Sequence, residues 1–395
     1  MEECKDNCKL SLYTNKKIDF TEEPMFFGCG KNTQKFEVVK YPWYDTCNDK
    51  MQGNDWPWDE ITIQEDIFQF KNVISEAASF IITRGLQRAI FLDSIQGRGP
   101  VLTFGQVATT PEMEAAITTW QHFEVNKHSK TYTKHLRALY VNPTEIFDET
   151  FKIKELTVIS ESISKPYNQA YKSVIDYVYY NLNNLKIDDK MMFRVKKHFL
   201  LAFMEVNLLE GVRFYTFFAT IWAMDYGQQL MRELAKDLIF IARDENEHLN
   251  LTQYTIHKFK TVESEGFTEV WKEILPEIKE RCYQVYEEEI AWIDYLFSKG
   301  AIMGMNANIA KEYMTYLMIK RMKAIGIEVD IDRLGGRMIT KNPIKWVDDY
   351  IHNDSEEKLP QEEKITNYRA NAMRNDMFGD IKSKIINKFK GVFNG

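Results

Sequence analysis

The stretch Glu245-Asn246-Glu247-His248 constrains the fold most, because it sets a carboxylate and an imidazole on what reads as the buried face of a helix. Leu234, Leu238 and Ile241 step by three and four residues, the spacing of a core-facing stripe. Continuing that stripe lands on Glu245, His248 and then Thr252. A buried charge is costly unless something neutralises it, and a metal ion is the usual remedy. In a chain with seven histidines one Glu-x-x-His arises readily by chance. Its weight depends on what other helices bring to it.

The chain has 395 residues, room for one large or two ordinary domains, and 44% of them are hydrophobic. A net charge of -7 without any basic stripe argues against a nucleic-acid binder. Ten prolines and 18 glycines are few for this length, and long stretches run without either, which favours an all-α protein. The five cysteines, Cys4, Cys8, Cys29, Cys47 and Cys282, form no Cys-x-x-Cys pair, as in a reducing compartment. Cys4 and Cys8 read as surface thiols. Met1-Glu2-Glu3 is acidic and no apolar run follows, so no signal peptide is expected. The apolar segment Phe199 to Met224 is interrupted by Glu205, Glu210 and Arg213, which suits a soluble core better than lipid. The expectation is a soluble, cytoplasmic, helical protein with no membrane partner.

Residues 1–21 are polar and rich in lysine and asparagine, a flexible arm. Helical patterning begins near Thr62 and passes Phe68, Val73, Ala77, Phe80 and Ile81 toward Leu92, until Gly97-Arg98-Gly99-Pro100 stops it. Thr110-Pro111-Glu112 starts a helix that should run to about Leu139, before Asn142-Pro143. Further helices fit roughly 155–164, 166–183, 190–224, 228–260, 267–299 and 307–325, with a short one over 346–351. After His352 the composition turns to Glu, Lys, Asn and Gln, and 356–395 reads as a mobile tail.

Four helices each offer something to a common site. The helix from 190 is apolar nearly all round in its second half, and its face Phe203, Asn207, Glu210, Phe214, Phe218 turns Glu210 inward. Asp93 follows Ile90, Phe91 and Leu92 at the end of another buried helix. Ile117, Trp120, Glu124, His128 and Tyr132 recur at steps of three or four. With Glu245 and His248 these make four carboxylates and two histidines, one nitrogen and several oxygens for each of two metals. Ferritin-like bundles take carboxylates and carboxylate–histidine pairs from four helices in this way, so residues 22–355 read as a ferritin-like helical domain. Oxygen-rich donors with imidazole suit iron or manganese rather than zinc.

The chain also resembles a known family, the radical-generating small subunit of class I ribonucleotide reductase. The segments that carry the resemblance are Glu23-Pro24-Met25-Phe26-Phe27-Gly28, Leu92-Asp93-Ser94-Ile95-Gln96-Gly97-Arg98 and Ser129-Lys130-Thr131-Tyr132-Thr133. With them come Val206-Asn207-Leu208-Leu209-Glu210-Gly211-Val212-Arg213-Phe214-Tyr215, Ile241-Ala242-Arg243-Asp244-Glu245 with His248, and Leu359-Pro360-Gln361-Glu362. They cover nearly everything from 22 to 370 in the family's order.

The resemblance implies that Asp93, Glu124, His128, Glu210, Glu245 and His248 are metal ligands for two iron ions, manganese using similar ligands, with dioxygen as oxidant. It makes Tyr132 the stored radical and Phe214, Phe218 and Ile241 its apolar shield. Trp56 looks like the tryptophan of the radical-transfer chain, with Trp58 its competitor, and Asp244 would link it to His128. Glu362 and Tyr368 are similar to the tail pair that carries the radical to the large subunit, on which the tail would dock through its end, Phe393 included. A homodimer is implied as well. A dimetal oxygenase or desaturase would use the same ligands but has no use for Tyr132 or a tail tyrosine.

One departure touches the site itself. The family usually spaces this pair Glu-x-x-His, yet Glu124 and His128 are four apart. Counting forward from Trp120 puts the ligand at Glu124; counting back from His128 and Tyr132 puts it at Val125. A valine there would leave three carboxylates and a weakened, single-metal or metal-free site. Glu124 is the favoured reading, and it requires a locally widened turn, a π-bulge that absorbs one inserted residue.

Overall fold

The computed structural model describes residues 10–28 and 31–351. Among them the only β-pairings are two isolated bridges, Phe26 with Ala108 and Ile302 with Met305. Fourteen α-helices dominate the described residues: α1 (Pro42–Gly53), α2 (Gln64–Asn72), α3 (Glu76–Gln96), α4 (Gly99–Thr103), α5 (Pro111–Phe123), α6 (Ser129–Leu139) and α7 (Pro143–Thr150). They are followed by α8 (Lys154–Leu182), α9 (Asp189–Leu208), α10 (Tyr215–Gln228), α11 (Arg232–Thr261), α12 (Thr268–Leu296), α13 (Ala307–Ala324) and α14 (Val347–Ile351). None is long and apolar enough to cross a membrane. The result is an all-α bundle of the ferritin-like kind, with α3, α5–α6, α9–α10 and α11 around a common interior.

Local chemistry explains most helix starts. Proline opens α1, α4, α5 and α7, where its missing N–H costs nothing. Ser75, Asp188 and Asn306 cap α3, α9 and α13 by accepting from the amides of Ala78, Met191 and Ile309. The start of α11 is capped from a distance: Asp66 of α2 accepts from the amides of Glu233 and Leu234. Burial raises the Asp66 carboxyl to about 7.

Several boundaries differ from the sequence reading. The single helix expected from Thr62 is two, because Ser75 caps a fresh start after a break at Val73. The two helices expected at 155–164 and 166–183 are one, with Pro166 inside α8. A mid-helix proline strips the carbonyl four residues earlier of its amide partner. Here that carbonyl, on Ser162, accepts instead from the Arg281 guanidinium at 3.2 Å. The long helix expected over 190–224 is interrupted by a π turn, Leu209–Arg213, before α10. Gln229 and Met231, both with positive φ, then separate α10 from α11.

Packing is densest around α10, where every residue from Tyr215 to Met224 is buried. The segment before α1 joins the core too: Phe26 meets Phe199 edge-on at 4.9 Å, and Phe27 N–H donates to the Val107 carbonyl. Gly85 lets α3 approach α10, since a Cβ there would overlap the Phe217 ring. That ring is buried and has little room to yield. Gly85→Ala should therefore lower stability by about 1–3 kcal/mol, the usual cost of overpacking. Denaturant unfolding of the variant beside the parent checks this; equal midpoints would contradict it.

Candidate metal centre

Two overlapping quartets of buried side chains lie at the centre of the bundle. Asp93, Glu124, His128 and Glu245 form one; Glu124, Glu210, Glu245 and His248 form the other, each with its donor atoms within 4.8 Å of one another. Glu124 and Glu245 belong to both. His128 Nδ1 faces Glu124 at 3.5 Å and Glu245 at 3.4 Å. His248 Nδ1 lies 3.1 Å from Glu124, 3.4 Å from Glu210 and 3.3 Å from Glu245. All six residues proposed from sequence are thus brought together.

The departure in spacing has a structural counterpart. Residues Glu124–His128 form a π turn between α5 and α6, closed by Ser129 N–H donating to the Glu124 carbonyl five residues back. One extra residue per turn keeps Glu124, His128 and Tyr132 on one side. Glu124 is fully buried, whereas Val125 is 43% exposed, so the carboxylate and not the valine occupies the interior position. The Trp120 indole donates to Glu124 Oε1 at 3.0 Å and fixes it. The second π turn, around Glu210, was not expected. Its only hint is that Glu210, Phe214 and Phe218 step by four, as Glu124, His128 and Tyr132 do. Arg321 takes the Gly211 carbonyl there at 3.0 Å.

Three further residues around the site were missed. Gln96, one turn after Asp93, donates its amide to Glu210 and accepts from the Tyr167 hydroxyl at 2.6 Å. It lies within a stretch that the sequence already singled out; nothing in the sequence points to Tyr167. Arg213, which ends the second π turn, is buried among Glu205, Glu288 and Glu289.

Electrostatics mark the cluster as a cation site. Burial, then repulsion among the carboxylates, holds Asp93, Glu210 and Glu245 well above the usual carboxylate range. Burial acts on Glu124 in the same direction, but His128 and His248 outweigh it and bring its carboxyl down to about 2. Burial likewise opposes charge on the histidines. Asp244 and the carboxylates nonetheless raise His128 well above its ordinary value, and Glu124 and Glu245 raise His248 to about 9. Both Asp93 oxygens, Glu124 Oε2, Glu210 Oε2, Glu245 Oε1 and His128 Nδ1 are buried without a hydrogen bond. The histidine–carboxylate approaches of 3.4–3.5 Å are charge contacts, too long for that role. Orphaned buried acceptors at this density are rare in folded proteins, and cations resolve them. The donor set fits a dimetal carboxylate centre of the iron or manganese kind.

Tyr132, four residues after His128, is wholly buried, and its hydroxyl also lacks a hydrogen bond. Burial, then the Asp93 charge, pushes its pKa well above 10. Phe214 and Phe218 are buried and stacked at 5.7 Å, and Ile241 is buried too. The Trp56 indole donates to Asp244 Oδ2 at 2.7 Å, and His128 Nε2 lies 3.3 Å from the same oxygen. Trp58 is turned elsewhere, with Lys130 over its ring. Glu362, Tyr368 and Phe393 lie outside the described residues.

Comparison with known proteins agrees with this geometry. A family model described as ribonucleotide reductase, small chain, matches residues 34–329. The ribonucleoside-diphosphate reductase subunit beta of Buchnera aphidicola (subsp. Schizaphis graminum) is 30% identical over 387 residues, 96% of this chain and 97% of its own. The ribonucleotide reductase R2 subunit from Clostridium botulinum superposes with a TM-score of 0.73 at 25% identity, covering 87% of this chain and 98% of that one. A dimanganese(II)-NrdF from Streptococcus sanguinis shares the fold, with a TM-score of 0.58 at 17% identity over 75% and 93% of the two chains. With a buried dimetal carboxylate site inside a match of this length, the chain belongs to the small (beta) subunit family of class I ribonucleotide reductase, which generates the radical for ribonucleotide reduction.

Proposed function

We propose that Asp93, Glu124, His128, Glu210, Glu245 and His248 hold two metal ions and that Tyr132 stores the radical. The observation that carries this reading is a pair of overlapping donor quartets beside a buried tyrosine whose hydroxyl has no partner. When bound, the metals with dioxygen supply oxidising power that side chains lack. Glu124 and Glu245, common to both quartets, would serve both cations; Asp93 and His128 would hold one, Glu210 and His248 the other. Four carboxylates balance two divalent charges. Since these groups must shed protons to bind a cation, metal affinity falls as pH is lowered. The donors suit iron or manganese alike, and the family resemblance puts iron first. The S. sanguinis protein holds manganese, but its likeness to this chain speaks for the fold alone.

Oxidation of Tyr132 removes one electron and the phenolic proton. The Tyr132 hydroxyl is buried without a hydrogen-bond partner, so no side chain holds that proton before oxidation. The apolar shield of Phe214, Phe218 and Ile241 excludes water and reductants. Passage outward runs through His128, Asp244 and Trp56, with Asp244 Oδ2 accepting the indole proton. Trp56 takes precedence over Trp58 because it alone of the two bonds Asp244.

The body over 22–355 acts in the cytoplasm as a homodimer, and the tail over 356–395 docks on the large subunit, with Glu362 and Tyr368 carrying the radical across. The test is reconstitution. Alone the chain reduces no nucleotide; with its large subunit it supports ribonucleotide reduction. Tyr368→Phe should leave the radical intact and stop turnover. Removing about the last twenty residues should weaken association without touching the radical. Equal affinity after truncation, read by titrating the large subunit, would refute the docking role.

A further inference from the structure

We infer that Lys127 is a positioning residue for radical transfer: from inside the π turn it holds the backbone of Trp56 so that the indole stays on Asp244. This rests on the reading of Trp56 given above.

Trp56 sits in a stretch without helix, between the end of α1 and the start of α2. Trp56 is buried in the core, but without helix hydrogen bonds its backbone is fixed by its anchors. Its indole has one polar contact, the 2.7 Å bond to Asp244, and one ring contact, Phe240 at 5.2 Å. Lengthening the bond by about 1 Å would end it as a hydrogen bond. What fixes the backbone therefore fixes the path.

Lys127 supplies that fixture. Its Nζ donates to the Trp56 carbonyl at 2.7 Å and pairs with Asp55 at 2.8 Å, and the residue is only 8% exposed. A lysine is seldom buried to this degree unless its ammonium is fully engaged. The next residue, His128, meets the same tryptophan from the other end through Asp244. Consecutive residues of one π turn thus grip both the carbonyl and, indirectly, the indole of Trp56. Within the turn Val125 is exposed and Lys127, directly before His128, is buried. The turn that carries Glu124 and His128 also carries Lys127. It couples the metal site to the first external step of the path.

Neighbouring side chains hold the rest of the stretch. Arg243 donates to the Asn54 carbonyl, and Lys134 to the carbonyls of Trp58 at 3.1 Å and Ile61 at 3.3 Å. Lys127 alone among these grips Trp56 itself.

The experiment uses the full chain, loaded with metal and mixed with the large subunit. Radical per chain is read by electron paramagnetic resonance, and turnover is expressed per radical. Lys127→Met keeps the aliphatic stem and removes the donor. It should assemble radical normally and lose roughly ten- to a hundredfold in turnover per radical, the scale of a misplacement near 1 Å. Lys127→Arg, which restores a charged donor, should recover to within about threefold. Unchanged turnover per radical in Lys127→Met overturns the proposal. Failure of that variant to assemble radical overturns it too, because Lys127 would then merely support the metal site. Trp56→Phe separates the underlying reading: full turnover there removes Trp56 from the path. Loss there with normal turnover in Lys127→Met rejects Lys127 alone.

Discussion

Tyr132→Phe should abolish ribonucleotide reduction while metal binding persists. The substitution removes one buried oxygen and leaves the ring packing unchanged. Because that hydroxyl has no hydrogen-bond partner, its loss strands no buried group, and stability should hold or rise slightly. None of the six donors is altered, so metal content should match the parent. Phenylalanine has no phenolic proton to lose and cannot be oxidised in tyrosine's place. Turnover with the large subunit should fall by roughly a thousandfold or more, to background. Metal analysis, denaturant unfolding and a turnover assay on one preparation check all three. Retained turnover would remove Tyr132 from the chemistry; lost metal would make it a structural support.

The second large effect separates Glu124 from its neighbour. Glu124 contributes to both quartets, is held by Trp120 and is the carboxylate the histidines keep ionised. Glu124→Ala removes the carboxylate that the two quartets share. Metal affinity should fall by more than the roughly 10–100-fold that losing an outer supporting contact costs, with the radical lost alongside. Val125→Ala trims a side chain that is 43% exposed and should leave metal and radical within about twofold of the parent. Metal titration of the two variants decides the matter. A harmless Glu124→Ala beside a damaging Val125→Ala would mean that the other register operates.

Much of the cluster is legible in the sequence because its carboxylates and histidines interrupt apolar stripes of helical period, as Glu245 and His248 interrupt the one begun by Leu234. Burial in a single bundle then brings such residues together. The four-residue gap between Glu124 and His128 also foretold the first π turn, since an inserted residue must be absorbed somewhere. The second π turn was hidden because the helix around Glu210 is buried on every side, so no exposed face marks a change of phase. Pro166 misled for a different reason. A proline breaks a helix unless something distant takes up the freed carbonyl, and Arg281, more than a hundred residues away, does so. Gln96 and Lys127 escaped notice likewise, since their importance lies in partners on other segments, Glu210 and Trp56, that periodicity cannot reveal.

The central claim is that this chain stores an oxidising equivalent on a tyrosine beside two metals. The most direct measurement loads the metal-free protein with iron, admits dioxygen, and follows the optical and paramagnetic signals. The account predicts a stable tyrosyl signal that requires metal, narrows when deuterated tyrosine is incorporated, is absent in Tyr132→Phe, and disappears with hydroxyurea. Two metals bound with no radical under iron or manganese, or oxygen inserted directly into an added organic substrate, would contradict it.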